Sequence, residues 1–206
     1  FISEAFINIR RSGLMIVISI ITVLISLIVL GVFLLLMANL YNLAKLLASR
    51  VGGRIDYSKL ASLTGLSRPT VTNYLSFFEK TYLIKTVGVY TRNIDREIVK
   101  ANKFFFCDTG IANILADISG GSQFENTVFN QLTKQGQIQY YSLKNGNEID
   151  FILDKKLALE VKETPTSEDL SFLLKISKIA KVNKIKLVGR NISPKFDNYV
   201  WGGSIL

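Results

Sequence analysis

The stretch "GNEIDFILDKKLALEVKE", residues 146–163, places acidic residues and a lysine on two short apolar segments. Apolar and charged residues alternate in both segments, which predicts two half-buried strands with their charged side chains on one face. A turn at residues 154–156 would join the strands into a hairpin, bring Asp150 beside Glu160, and leave Lys162 on the same face as Glu160. The opposite, apolar face would carry Ile149, Phe151, Leu153, Leu157, Leu159 and Val161.

Composition narrows the classes of chemistry that the chain can carry. The 206 residues have a formal net charge of +9, which favours an anionic partner such as nucleic acid or acidic lipid. The sequence has no histidine, which excludes Ser-His-Asp and Cys-His catalysis and histidine-ligated zinc. Its single cysteine, Cys107, allows no internal disulfide and is predicted to be a small buried residue. No phosphate-loop motif of the GxxxxGK[ST] type occurs, so no ATPase activity is expected from this chain.

An uncharged apolar segment near the N-terminus predicts a transmembrane helix. Residues 14–37 carry no charged side chain, and about 20 apolar residues in a helix suffice to cross a bilayer. Arg10 and Arg11 precede the segment and favour a cytoplasmic N-terminus, whereas the basic residues that follow it resist export of the rest of the chain. A buried helix of a soluble core is the alternative.

The sequence that follows predicts a helix-turn-helix. Residues 56–66 read as a short helix closed by Gly65, and a second helix opens with Ser67 as its N-cap and Pro69 in its first turn. Two strand candidates, "LIKTVGVYTR" and "KFFFCD", make a winged variant of the motif plausible. In that interpretation three residues would contact DNA: Arg68, Thr70 and Asn73. A helix-turn-helix used only for packing or for protein contacts is the competing interpretation.

The remaining chain predicts the element order α-β-β-β-α-β. Residues 122–135 are predicted to form an amphipathic helix with Glu125 in its first turn. Three strand candidates follow: "IQYYSL", "NEIDFILD" and "KLALEVKE". A predicted helix near 168–181 then precedes the strand "KIKLVG". The fold class is therefore mixed α/β. The predicted domains are a tail and transmembrane helix over 1–41, a winged helix-turn-helix over 42–118 and an α/β domain over 119–206.

This order resembles the PD-(D/E)xK nuclease core, which carries an acidic residue on its first helix, an aspartate on the second strand and Glu-x-Lys on the third. The resemblance implies a site for Mg²⁺ or Mn²⁺ held by Asp150, Glu160 and Glu125, because hard cations prefer carboxylate oxygens. Asp150, Glu160 and Lys162 would form the catalytic set, with Lys162 orienting or deprotonating the attacking water. Ile149 stands where the family's proline would be. The alternative is a salt bridge among Glu148, Glu160 and Lys162 on a solvated sheet face.

Residues 42–206 as a whole resemble the C-terminal region of prokaryotic AAA-family ATPases. The matching stretches are "GGRIDYSKLASLTGLSRPTVTNYLSFFEKTYLI", "KANKFFFCDTGIANIL", "FENTVFNQL" and "NEIDFIL…LALEVK". The resemblance implies a winged helix joined to a PD-(D/E)xK-like domain, with DNA as partner and a cytoplasmic location, and with the ATPase module absent from this chain. No small-molecule substrate is inferred.

The first 40 residues resemble a different family. "EAFINIRRSGLM" followed by "ISIITVLISLIVLGVFLLLMANL" is similar to the cytoplasmic tail and first membrane helix of the FtsX-type cell-division permease. This resemblance implies an inner-membrane location if the helix inserts. Three functions follow from the sequence: a DNA-binding region with a possible nuclease site, a membrane-anchored division-protein fragment, or a non-catalytic module that binds partner proteins.

Overall fold

The computed structural model describes residues 2–91, 101–143 and 145–203, with side chains from residue 12 onward. The side chains of Arg10 and Arg11, and the last residue of the first predicted wing strand, Arg92, lie outside this description. Two compact units make up the chain, Phe1–Leu43 and Ala44–Leu206. The architecture is mixed α/β, as the sequence predicts, with a long apolar helix at its N-terminus.

Helix α1 runs from Ile2 to Ala48. The side chains of residues 14–37 are all exposed, which differs from the buried helix of a soluble core. The part Ser12–Ala48 is long and apolar enough to cross a membrane, and a signal sequence near an N-terminus would have the same properties. By length and composition, therefore, this helix can span a bilayer.

Two short helices follow, and their ends agree with the capping residues predicted from the sequence. Helix α2, Tyr57–Thr64, begins after Asp56, whose carboxylate accepts a hydrogen bond from a first-turn amide, and ends at Gly65 in the left-handed conformation with φ +70°. Helix α3, Arg68–Lys80, begins after Ser67, whose hydroxyl accepts a hydrogen bond from the backbone N–H of Thr70. Such caps satisfy amides that the first helical turn leaves without partners. The buried side of α3 consists of Val71, Leu75 and Phe78.

An antiparallel ribbon follows the helices. Strand β1, Ile84–Val87, pairs with β2, Lys103–Phe106, and all four residues of β2 are buried. The next residue, Cys107, is exposed, so the prediction that it is buried was wrong. The strand ends at Phe106, and Asp108 then caps a short helix, α4, Thr109–Leu115, which the sequence analysis did not predict.

The rest of the chain forms a five-stranded sheet with helices on its faces. Strand order is β3-β4-β5-β6-β7, with β3, β4 and β5 antiparallel and β5, β6 and β7 parallel. The helices and strands predicted after residue 119 are all present, and β7 is additional. Their bounds are α5 Gly120–Leu132, β3 Ile138–Ser142, β4 Glu148–Leu153, β5 Leu157–Lys162, α6 Ser167–Ala180, β6 Lys184–Gly189 and β7 Val200–Trp201.

Strand β4 does not keep the strict alternation that its sequence suggests. Its register against β3 shifts between Gln139 and Tyr141, so that two residues of β4 lie opposite one residue of β3. This irregularity separates two residues that alternation puts on one face: Ile149 packs with the core beneath α6, whereas the Phe151 ring lies 5.3 Å from that of Phe105 in β2. A bulge of this kind re-aims the side chains beside it. The prediction that Ile149 and Phe151 share one face was therefore wrong.

Candidate carboxylate site at the open end of the hairpin

The predicted hairpin forms, and Asp150 lies where its two strands stop pairing. Strands β4 and β5 pair between residues 151–153 and 157–159 only. Beyond this point the Oδ2 of Asp150 accepts a hydrogen bond of 2.9 Å from the backbone N–H of Val161. A side-chain carboxylate thus satisfies a β5 amide at the open end of the hairpin, and this contact fixes Asp150 close to Glu160.

Glu160 is the most deeply buried carboxylate of this region, with 5% of its side chain exposed. Its Oε1 lies 2.9 Å from the Nζ of Lys162, whose side chain is 39% exposed. Its Oε2 is buried and has no hydrogen-bond partner. Burial and the nearby Asp150 raise the pKa of Glu160 to about 7. The Glu160–Lys162 pair of the predicted site is therefore present, with one carboxylate oxygen left over.

Glu125 reaches the same region from α5. Its Oε1 is buried without a hydrogen-bond partner, and a Cβ added at Gly52 would lie 3.0 Å from its Oε2. Burial and the charge of Asp150 raise the pKa of Glu125 to about 8, against an opposing attraction from Lys103. Burial likewise raises the pKa of Asp150. The three carboxylates predicted from the sequence thus influence one another electrostatically.

A residue not predicted from the sequence, Lys103 of β2, lies among these charges. Only 5% of its side chain is exposed, and its Nζ lies 2.8 Å from Oε1 of Glu148 and 3.8 Å from Oε1 of Glu125. It also lies over the ring of Tyr140, 5.5 Å from the centroid. Burial alone would lower the pKa of this amine, but attraction from Glu125, Asp150 and Glu148 outweighs it, so the pKa of Lys103 is raised. Lys103 is a buried ammonium ion.

Arg54 completes the network from the segment that leads into α2. Its Nη2 lies 2.8 Å from Oε2 of Glu148 and 2.7 Å from the hydroxyl of Ser142. Burial alone would raise the pKa of Glu148, yet Lys103 and Arg54 together hold it below its usual value. The predicted salt bridge of Glu148 with Glu160 and Lys162 is therefore not what forms, because Glu148 pairs with Lys103 and Arg54 instead. We call the seven residues the carboxylate cluster: Arg54, Lys103, Glu125, Glu148, Asp150, Glu160 and Lys162.

The donor chemistry of the cluster suits a hard cation. Mg²⁺ is usually held by one or two carboxylates, with water in its other positions. The buried oxygens of Glu125 and Glu160 that lack hydrogen-bond partners have lone pairs to offer. Among the described residues, no three Asp, Glu, Cys or His side chains are arranged as a ready metal site. A metal site on Asp150, Glu160 and Glu125 therefore stays a prediction.

The predicted DNA-contacting residues lie at the N-terminal end of α3. Arg68 and Asn73 are exposed, and neither side chain has a polar partner within the part of the chain that the structure describes. Thr70 is partly buried, and its hydroxyl lies 2.7 Å from that of Ser67. Two of the three residues thus present free polar groups, while the third stabilises the first turn.

Two family models match the chain, and each covers less than half of it. Residues 36–122 are similar to a domain of unknown function, DUF8612, and residues 120–201 to another, DUF4143. The second is a domain found in AAA-ATPase-associated proteins. This agrees with the resemblance of the chain to a region of AAA-family ATPases. No curated protein and no solved structure matches the chain. Residues 1–35 lie outside both matches, so the resemblance to the FtsX-type permease stays a prediction.

Proposed function

We propose that residues 42–206 are a DNA-binding region of an AAA-ATPase-associated protein, with a winged helix-turn-helix over 42–118 and a PD-(D/E)xK-like domain over 119–206. The observation that carries this proposal is the exposed N-terminal end of α3, where Arg68 and Asn73 have no polar partner among the described residues. A helix end of this kind, preceded by a short helix and a tight turn, is the part of a helix-turn-helix that reaches into the major groove. The net charge of +9 supports an anionic partner.

Binding to a labelled DNA duplex over a series of salt concentrations tests the proposal. The full chain is kept in mild detergent, because residues 14–37 expose a continuous apolar surface. Contacts with phosphates should make the logarithm of the binding constant fall linearly with the logarithm of salt concentration, by about 0.9 for each phosphate neutralised. Arg68→Ala should lower that slope by about 1 if Arg68 contacts a phosphate, or cost about 1–3 kcal/mol on the preferred sequence if it contacts a base.

A cation on another surface provides the matched control. Lys178 is exposed on α6, which packs on the five-stranded sheet rather than on the helix pair, so Lys178→Ala should leave affinity and slope unchanged. If the wild-type chain shows no affinity for duplex DNA at low salt, the proposal fails. The function would then be a protein-interaction module, or a membrane-anchored division-protein fragment at the inner membrane. Equal losses in the two variants would mean that the whole basic surface, rather than α3, attracts DNA.

Metal-dependent cleavage of a phosphodiester is a second candidate function, favoured by the buried oxygens of Glu125 and Glu160 that lack hydrogen-bond partners. Asp150 and Glu160 would hold Mg²⁺ or Mn²⁺, with Glu125 as a further ligand, and the bound ion would polarise a phosphate oxygen as a Lewis acid. Lys162 can donate to the attacking water and offset negative charge on the phosphate, because its ammonium group is half-exposed beside Glu160.

A nuclease assay with Mn²⁺ on plasmid and single-stranded DNA tests this second candidate. Glu160→Ala should abolish both cleavage and any stabilisation by the metal, whereas Lys162→Ala should abolish cleavage and keep the metal response. Cleavage that persists in Glu160→Ala would come from a contaminant or from another site. A wild-type melting temperature that Mn²⁺ does not change would leave these carboxylates without a metal role in the wild-type chain.

A further inference from the structure

The carboxylate cluster already contains a positive charge that belongs to the protein, and the predicted metal site did not include this charge. Lys103 contributes a buried ammonium group within ion-pair distance of Glu148 and Glu125. Its attraction to Asp150 is also one of the larger influences on the amine. Two carboxylates of the proposed metal site therefore already interact with a positive charge that belongs to the chain.

We infer that the Lys103 ammonium is the resident cation of the carboxylate cluster, and that it keeps a divalent ion away from Glu125 and Asp150 as long as it occupies this position. The inference rests on the proposed metal site and concerns its regulation. A divalent ion bound by the same carboxylates would lie close to the ammonium group, and unit charges about 4 Å apart in a partly buried site repel strongly enough to alter affinity by well over tenfold.

The surroundings of Lys103 hold its ammonium group in place. Glu148 pairs with it at 2.8 Å, the ring of Tyr140 lies beneath it, and the side chain has almost no exposed surface from which it could turn into solvent. Glu148 is itself fixed by Arg54 at 2.8 Å. Lys162, in contrast, is half-exposed and can move away from Glu160 as a metal ion arrives. The two lysines therefore differ in role: one is a fixed internal charge and the other an accessible group.

One carboxylate oxygen of the cluster, Oε2 of Glu160, is not among the atoms that pair with Lys103. Only 5% of the Glu160 side chain is exposed, and its Oε2 has no hydrogen-bond partner. The other oxygen of the same carboxylate, Oε1, pairs with Lys162 at 2.9 Å. The cluster thus retains a partly formed cation site whose completion is opposed by Lys103.

Replacing Lys103 with methionine tests the inference, because methionine keeps most of the side-chain volume and removes the charge. Binding of Mn²⁺ to the full chain in detergent is followed by electron paramagnetic resonance, which distinguishes free from bound Mn²⁺, and by the melting temperature. We expect Lys103→Met to bind Mn²⁺ about tenfold or more tightly than the wild type, and to show a larger metal-dependent rise in melting temperature. Lys103→Arg, which keeps the charge, should behave as the wild type does.

A double variant locates the gained site. Lys103→Met combined with Asp150→Asn should lose the gain in Mn²⁺ affinity, and a gain that survives would place the metal elsewhere and overturn the inference. Removal of Lys103 leaves Glu125, Glu148 and Asp150 with less compensating charge, so the single variant is also refolded with excess Mn²⁺. Failure to fold even then would overturn the inference, because the metal could not take the place of the ammonium group.

The remaining outcomes separate this inference from the proposed metal site. Equal Mn²⁺ affinity of the wild type and Lys103→Met would overturn the inference and leave the metal site in place. No Mn²⁺ binding by either protein would overturn both, and the DNA-binding proposal would still rest on its own salt-dependence experiment.

Discussion

Neutralising Glu160 should stabilise the protein at alkaline pH. Its carboxyl group is buried beside Asp150, has one oxygen without a hydrogen-bond partner, and has a pKa raised to about 7 from the usual 4.5. Between these two values the folded protein keeps a proton that the unfolded chain has released, so the free energy of unfolding falls as the pH rises through this interval. Glu160→Gln keeps the shape of the side chain and removes this titration.

The size of the effect follows from the pKa values. The interval from 4.5 to about 7 corresponds to roughly 3 kcal/mol, at about 1.4 kcal/mol for each tenfold change in proton affinity. The attraction of Lys162 opposes the rise in pKa and is already included in it, because it is one of the influences that set the pKa of Glu160. We therefore expect Glu160→Gln to exceed the wild type in free energy of unfolding by about 2–3 kcal/mol at pH 8.5, and by about 1 kcal/mol or less at pH 5.

Urea denaturation followed by circular dichroism at pH 5, 7 and 8.5 measures this difference. The neighbouring Glu125, whose pKa is raised to about 8, contributes to the pH dependence of both proteins, so the difference between them reports mainly on Glu160. Glu163→Gln is the matched control, since Glu163 is 47% exposed and its pair with Arg190 spans 3.6 Å; it should be neutral at every pH. A difference that stays constant from pH 5 to 8.5, or that favours the wild type at pH 8.5, would refute the reasoning.

Two further predictions concern single contacts within residues 44–206, and both are measured by urea denaturation. Asn126 is fully buried, and its side-chain amide forms hydrogen bonds with both the N–H and the C=O of Phe106. Asn126→Ala should therefore lower the free energy of unfolding by about 2–4 kcal/mol, because it leaves these backbone groups unsatisfied. A loss below about 1 kcal/mol would mean that water replaces the amide. Gly52 has φ +78° and approaches Glu125, so Gly52→Ala should cost about 1–3 kcal/mol; a neutral result would show that the turn can relax.

Local chemistry made the helix ends and the hairpin predictable. The caps of α2 and α3 follow from Asp56, Gly65 and Ser67, whose effects reach only a few residues along the chain. The register of the hairpin follows from alternation and a short turn, so the proximity of Asp150 and Glu160 could be predicted without knowing the rest of the fold. Helix α4 was within reach of the same reasoning, since Asp108 caps it.

The unpredicted features depend on residues far apart in the sequence. A lysine at the start of "KFFFC" reads as a solvated strand end, and its burial becomes favourable only because Glu125 and Glu148 arrive from later elements. Cys107 continues an apolar run but follows the last residue of its strand, and its side chain is exposed. The bulge in β4 arises from its pairing with β3, which the hairpin sequence alone does not contain.

The carboxylate cluster has a structural role as well as a proposed chemical one, because its charged residues come from different parts of the fold. Arg54 and Lys103 come from the segments around the helix pair and its ribbon, whereas Glu125 and Glu148 belong to α5 and the five-stranded sheet. The network thus connects two parts of the unit Ala44–Leu206 through ion pairs, of which those of Lys103 are the least exposed. Breaking a buried pair by removing one partner commonly costs about 3–5 kcal/mol, far more than a surface pair yields. A site used only for cleavage would not require Arg54 or Glu148. A network of purely structural ion pairs would not require the Oε2 of Glu160, which has no hydrogen-bond partner. The two sets of residues meet at Lys103, which pairs with both Glu125 and Glu148, so replacing it tests the two roles together.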